Sequence, residues 1–494
     1  MSTDSKPRTL GELRRTGYRP TAVREEVHAN LVRKLEAGEV LFPGIVGYED
    51  TVVPELANAL LAGQNVIVLG ERGQAKSRLI RAMIALLDPE IPVVAGGELN
   101  DSPFAPVSPA ARRRVAEEGD ALPIAWLPRE ARYAEKLATP DVSMADLIGD
   151  VDPIKVAEGR YLADELTIHY GLVPRTNRGL FCVNELPDLP ERIQVGLFNL
   201  MEERDVQIKG YRIRLPLDLL IFATANPEDY TNRGRIITPL KDRFGAQVRT
   251  HYPRTTGDEL LIVEQERARF AGVEERVVMP GYMAEVVAEL SALARKSPEI
   301  NQRSGVSVRV SIANYETLRS AALRRALHLG EKTTAPRITD LPALAASMRG
   351  KIELESVDDG REEAVIEELA KRAVAGVFGR RLSGVDLQGL VAAFDKGLTV
   401  TTGSTVSAAE YVRLRDTLPG LPAAIERLGA AGSTAETASA VEFVLEGLHL
   451  HRRLNRERVG SGYAYRRAAA READEAAPRS RREWRREGRP PVEG

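Results

Sequence analysis

Cysteine is almost absent from this chain of 494 residues, where Cys182 stands alone. A single thiol excludes an intramolecular disulfide and a cysteine-based zinc site, and it suits a reducing compartment. An excess of one charge is also missing, since 69 Lys and Arg face 71 Asp and Glu for a formal net charge of −2. That balance gives no global attraction to nucleic acid or to an anionic membrane. No apolar run is long enough to span a bilayer, and the opening MSTDSKPRTL lacks the apolar core of a leader peptide. A cytoplasmic protein is expected, with no membrane and no nucleic acid as partner. What is present, 43% hydrophobic and 28% charged residues, is ordinary for a globular chain. The length exceeds what one core can organise, so two or three domains are expected.

Residues 1–40 are polar and charged, with apolar positions at helical spacing from Thr21 to Leu35, which predicts an N-terminal helical extension. Residues 41–255 alternate strand-like and helix-like segments, the pattern of an α/β core with a mostly parallel sheet. Its clearest strands are NVIVLG (65–70), GLFCVNE (179–185) and LLIFATAN (219–226), short apolar runs suited to burial on both faces. The alternating stretch 204–218 around Lys209 and Gly210 predicts a hairpin. From 256 to 350 the pattern is helical, as for a small lid domain, and 351–459 is again mainly helical. Within that region TVTTGSTVS (399–407) reads as a polar loop. The Arg-rich end, 460–494, has too few apolar residues to offset ordering and is expected to be a disordered tail. No internal repeat is visible.

The chemistry concentrates in GERGQAKS, Gly70, Glu71, Arg72, Gly73, Gln74, Ala75, Lys76 and Ser77. It follows a strand and leads into the helical SRLIRAMIALL, the context a phosphate loop requires. Backbone N–H groups there can cradle phosphate, Lys76 can reach the β and γ oxygens, and the Ser77 hydroxyl can join the shell of Mg2+. ATP and Mg2+ are the cofactors this pattern calls for. Ala75 stands where such loops carry glycine, and its Cβ calls for a negative φ. FCVNE ends a strand in a carboxamide and a carboxylate. Glu185 is placed to orient an attacking water, and Asn184 occupies the position of a metal-holding aspartate with an acceptor oxygen but no charge.

With these motifs in view the chain resembles the AAA+ ATPases of the MoxR and magnesium-chelatase ATPase-subunit group, from about Phe42 to Arg309. The likeness is carried by Ile45, Val46 and Gly47 ahead of the first strand, by MADLIGDVDPIKVAEGR (144–160) and by GLVPRTNRGLFCVNELPDLPERIQVGLFNLMEERDVQIKG (171–210). ATANPEDY (223–230), LKDRF (240–244) and GVSVRVSIANYE (305–316) extend it. The resemblance implies an adenine pocket at 45–47, a sensor at Asn226, an arginine finger at Arg243 acting on a neighbouring subunit's ATP, and a second sensor at Arg309. Arg233 and Arg235 are weaker candidates for the finger. Segments near 151–171 and 204–216 match the group's helix-2 insert and pre-sensor hairpin. It further implies a homo-oligomer, a hexameric ring, and a partner with a von Willebrand factor A domain. Metal insertion and chaperone-like remodelling both remain open as the output.

Three features lie outside this picture. Residues 96–123 read as an insertion without an assigned role. His449 and His451 lack a third ligand at metal-site spacing, and the Arg-rich tail interleaves acids with its arginines. KGYRIR (209–214) reads either as an exposed partner loop or as a plain hairpin. Two other functions fit the same core: a nucleotide-dependent scaffold with little hydrolysis, motivated by Ala75 and Asn184, and a σ54-type transcription activator, for which a GAFTGA-type loop and a terminal helix-turn-helix are missing.

Overall fold

In the computed structural model, which describes residues 6–151, 168–203, 205–208, 211–227, 235–302, 304–355, 361–460 and 462–467, the three apolar runs are strands of one sheet. Its members are β1 (Val66–Leu69), β2 (Tyr133–Leu137), β3 (Gly179–Asn184), β4 (Leu219–Ala225) and β5 (Ala246–Arg249). They pair in parallel in the order β5-β1-β4-β3-β2. β1 and β4 are buried throughout, and β3 is buried up to Asn184. Alternate residues feed two cores. Ile67, Phe181, Val183 and Ile221 pack on one face, while Val66, Val68, Leu180 and Phe222 pack on the other. β2 and β5 read YAEKL and AQVR, with no apolar run to announce them. Because the strands are parallel, β1, β3 and β4 all end at the same edge, where functional groups collect.

Helices α1 (Leu10–Arg15) and α2 (Val23–Glu36) precede the sheet. α2 is clamped to the core by a buried ion pair, in which Arg132 donates to both Glu26 oxygens at 2.7 and 2.6 Å. The Val23 N–H donates to Asp218 Oδ2 at 2.8 Å. The insertion packs against the N-terminal segment. Leu10 N–H donates to Leu122 O and Ile124 N–H to Arg8 O, each at 2.9 Å. Leu10, Val94, Ala111 and Leu122 form a small buried cluster there.

Helices α3 (Val52–Leu61), α4 (Lys76–Ala82), α5 (Glu191–Glu203), α6 (Thr238–Asp242), α7 (Thr256–Glu266), α8 (Gly281–Ala294) and α9 (Val308–Leu329) follow in chain order. The expected hairpin forms, with Asp205–Ile208 antiparallel to Tyr211–Arg214; Lys209 and Gly210 lie outside the described residues. Gly149–Val151 pairs with Ile168–Tyr170, while 152–167, the body of the expected helix-2 insert, lies outside them. No helix among the described residues is long and apolar enough to cross a membrane.

The described residues fall into two compact units. The first draws on Met1–Glu275, Gly281–Ala321 and Leu341–Ala373, and the second on Arg276–Pro280, Ala322–Asp340 and Val374–Gly494. Within the second, the helix Thr434–Leu450 is buried along most of its length. Two expectations are corrected there. The stretch 399–407 is not all loop, because Val400–Gly403 forms a strand rich in β-branched residues. The ordered chain also does not stop at 459. Gly462–Arg467 pairs antiparallel with both Val400–Gly403 and Leu454–Val459, and its buried Tyr465 donates to Glu446 at 2.6 Å. The rest of the expected tail, 468–494, lies outside the described residues.

Candidate active site

β1 runs into the loop 70–75, which carries the chain into α4. Two glycines are required there by contact. A Cβ on Gly70 would collide with Thr250 Oγ1 and Gln74 Oε1. One on Gly73, at φ +76, would collide with Ser307 just ahead of α9. Ala75 departs from expectation, since it adopts φ 55 and ψ 19 rather than a negative φ. The turn that brings Lys76 back over the loop needs a left-handed residue, and the methyl is accepted at a strain of about 1–2 kcal/mol. Gln74 folds its side chain inward, where Oε1 accepts from Glu71 N–H at 3.0 Å and from the Thr250 hydroxyl at 2.7 Å. It therefore staples the loop. Lys76 is 7% exposed, and its Nζ donates to Gly70 O at 2.6 Å, Glu71 O at 3.0 Å and Asn226 Oδ1 at 2.6 Å. Loop carbonyls hold the ammonium where a phosphate oxygen would compete for it.

β3 and β4 deliver the facing groups. The Ser77 hydroxyl donates to Asn184 Oδ1 at 3.0 Å, and the Thr224 hydroxyl approaches the same oxygen at 3.4 Å. Asn184 thus keeps the acceptor that an aspartate would offer and lacks its charge. Two adjacent oxygen donors beside a phosphate loop fit Mg2+, which keeps waters and takes few protein ligands. Glu185 is left-handed, φ 55 and ψ 49, and its N–H donates to Thr224 Oγ1 at 3.0 Å. Its Oε2 accepts from Asn226 Nδ2 at 2.8 Å. Lys76, Asn226 and Glu185 therefore form one hydrogen-bonded chain, which assigns both ends of the Asn226 amide.

Around the loop, Ile45 and Val46 line a pocket with Ala75, Ile262 and Val308, an apolar slot suited to a flat heterocycle. Gly47, at φ +80, lies against Asp258 instead. Arg309 is exposed in the first turn of α9, two residues beyond Ser307, whose Oγ accepts its N–H at 3.1 Å. Glu71 and Arg72 contribute backbone to this wall, with Tyr252 OH donating to Arg72 O at 3.1 Å. Arg243 sits elsewhere. It caps α6, pairs with Glu202 and with Asp242 (3.0 Å), and lies 5.4 Å over the Phe198 ring. Its Nε reaches Glu202 without hydrogen-bond alignment. None of these partners belongs to the phosphate loop. Arg233 lies outside the described residues.

Several contributors carry no signal of their own in the sequence. Tyr48 OH bonds Gln74 O at 2.8 Å and His251 O at 2.9 Å, and burial pushes its hydroxyl up to about 12. Thr250 and Ser307 are single polar residues from remote segments. Thr224 alone had a hint, two residues before Asn226 in the ATAN run.

No family model matches the chain. It is 28% identical over 268 residues to the chloroplastic magnesium-chelatase subunit ChlI of Oryza sativa subsp. japonica, covering 51% of this chain and 58% of that one. It is 30% identical over 239 residues to the magnesium-chelatase subunit ChlI of a Nostoc strain, covering 46% and 59%. The chain thus spans less than two thirds of the length of these relatives. A cryo-EM-based structure of the BchI–BchD complex of magnesium chelatase superposes at a TM-score of 0.34 and 22% identity, over 66% of this chain and 98% of that one. Likeness at that level adds nothing to the sequence match. By sequence the chain is thus similar, over about half its length, to magnesium-chelatase ChlI subunits, and it carries a glycine-containing strand-to-helix loop on a parallel sheet.

Proposed function

We propose that this chain binds Mg-ATP at the edge of its sheet and hydrolyses it as one subunit of a ring that remodels or activates a partner protein. The observation that supports this most directly is the chain from Lys76 through Asn226 to Glu185, with contacts of 2.6 and 2.8 Å. It couples the phosphate-binding cation to the carboxylate that would orient water, through an amide able to hold that water. In this reading Ile45 and Val46 hold the adenine, with Gly47 beside them. The backbone of Gly70, Glu71, Arg72, Gly73, Gln74 and Ala75 surrounds the phosphates. Ser77 and Asn184 would hold Mg2+, which supplies charge neutralisation on the phosphates. Glu185 orients water, Asn226 positions it, and Arg309 reaches the phosphates from α9.

Arg243 is assigned to the ATP of a neighbouring copy, because its partners within the chain lie away from the phosphate loop. That assignment makes a homo-oligomer, a hexamer by resemblance, part of the catalytic reading. A von Willebrand factor A domain protein is the partner we infer, in the cytoplasm, with metal insertion and remodelling of a complex as the two outputs. The test is steady-state ATP turnover and nucleotide binding for the natural chain and Glu185→Gln. Turnover should vanish in the variant with binding kept. A natural chain that binds ATP without turnover would favour the scaffold reading, which the uncharged Asn184 motivates.

A further inference from the structure

Asn184 sets a problem that an aspartate would not. An aspartate offers two equivalent oxygens, whereas an asparagine offers one oxygen and one NH2, exchanged by a half-turn of its last bond. Only the oxygen can accept from Ser77 or face a cation, so the amide must be held one way round. The Ser77 and Thr224 hydroxyls meet Oδ1 at 3.0 and 3.4 Å, and the Cys182 thiol meets it at 3.6 Å. Hydroxyls accept as readily as they donate, so they do not select between the two orientations. Selection needs a group that only accepts.

Glu135 is such a group. In the parallel pairing of β2 with β3, Glu135 lies opposite Cys182, and Leu137 lies opposite Asn184. Glu135 and Asn184 are therefore diagonal neighbours on one face of the sheet. The carboxylate is itself fixed: Arg81 Nε donates to Oε2 at 2.9 Å, a second Arg81 nitrogen pairs with Oε1, and Tyr133 OH donates to Oε2 at 2.7 Å. Arg81 lies one turn beyond Ser77 on α4, so one helix face meets both Asn184 and Glu135. The Asn184 side chain is a further hydrogen-bond partner of this carboxylate. Paired with a guanidinium through both oxygens, the carboxylate accepts only.

We propose that Glu135 is a positioning residue for the nucleotide–magnesium site, accepting from Asn184 Nδ2 and so keeping Oδ1 toward Ser77. This rests on the ATP reading above. The test is binding of a fluorescent ATP analogue to the full chain, titrated with Mg2+ and read without turnover. Glu135→Ala should raise the Mg2+ concentration for half-maximal binding about tenfold, the worth of one hydrogen bond to a charged group. In an Asn184→Asp background the same substitution should give no such rise, because a carboxylate needs no orienting partner and loses only a like charge beside it. Equal shifts in both backgrounds would make Glu135 a general charge or packing residue. No shift in the natural background would mean that Asn184 orients itself. Either result overturns the proposal. If Glu135→Ala fails to fold, Glu135→Gln gives the same comparison: Arg81 claims its oxygen and its NH2 is left for Asn184, so the shift has the same sign. An analogue that does not bind the natural chain at any Mg2+ concentration defeats the ATP reading itself, and this inference with it.

Discussion

Ala75 offers the sharpest test of the loop geometry. At φ 55 and ψ 19 its methyl sits in a conformation that costs an L-residue about 1–2 kcal/mol. Glycine removes that strain, but it adds about 0.5–1 kcal/mol of backbone freedom to the unfolded chain. Ala75→Gly should therefore stabilise the first unit by about 0.5–1 kcal/mol, the difference of the two effects. Nucleotide affinity should change by less than about fivefold, since 1 kcal/mol corresponds to that factor and the loop amides already hold their positions. Ala75→Val should move the other way by about 1–2 kcal/mol, because a β-branched residue tolerates a left-handed conformation worst. Urea denaturation without nucleotide, followed by a probe in the first unit, measures both. If the glycine variant is less stable than the natural chain and the valine variant is unaffected, residue 75 is not left-handed, and the account of Lys76's approach fails with it.

Arg243→Ala should leave assembly intact while lowering ATP turnover by about a thousandfold or more, the usual worth of an arginine finger; size measurement beside a turnover assay checks it, and unaltered turnover removes Arg243 from the site. Glu26→Ala leaves Arg132, which is 1% exposed, without its carboxylate. That should destabilise the first unit by about 3–5 kcal/mol, with much of the loss recovered by an apolar replacement of both partners, as denaturation curves would show. Glu274 accepts from Arg267 and Arg319, each at 2.6 Å, and these guanidiniums, Arg267 first, hold its carboxyl down to about 2. Its folded value lies below the unfolded one of 4.5, so its contribution is present above pH 4.5 and is lost as pH falls toward 2. The stability gap between the natural chain and Glu274→Gln should close across that window in pH-dependent denaturation, and a gap that persists at pH 2 would refute the pairing.

Local pattern was enough to find the strands at 65–70, 179–185 and 219–226, because a central parallel strand is buried on both faces and must be apolar throughout. β2 and β5 carried no such mark, since edge strands are held by backbone pairing to a neighbour rather than by their own side chains. The loop 70–77 was equally visible, because its residues are close in sequence. The strand-end positions of Asn184, Glu185 and Asn226 could be read in the same way; their roles remain part of the proposal. By contrast, Ala75's left-handed turn, the Gln74 staple with Thr250, the contact of Ser307 on Gly73 and the placing of Glu135 beside Asn184 join residues up to hundreds of positions apart. Periodicity along a chain reports which face of an element is buried. Which remote polar atom meets it there is decided only when the sheet order and register bring the two together.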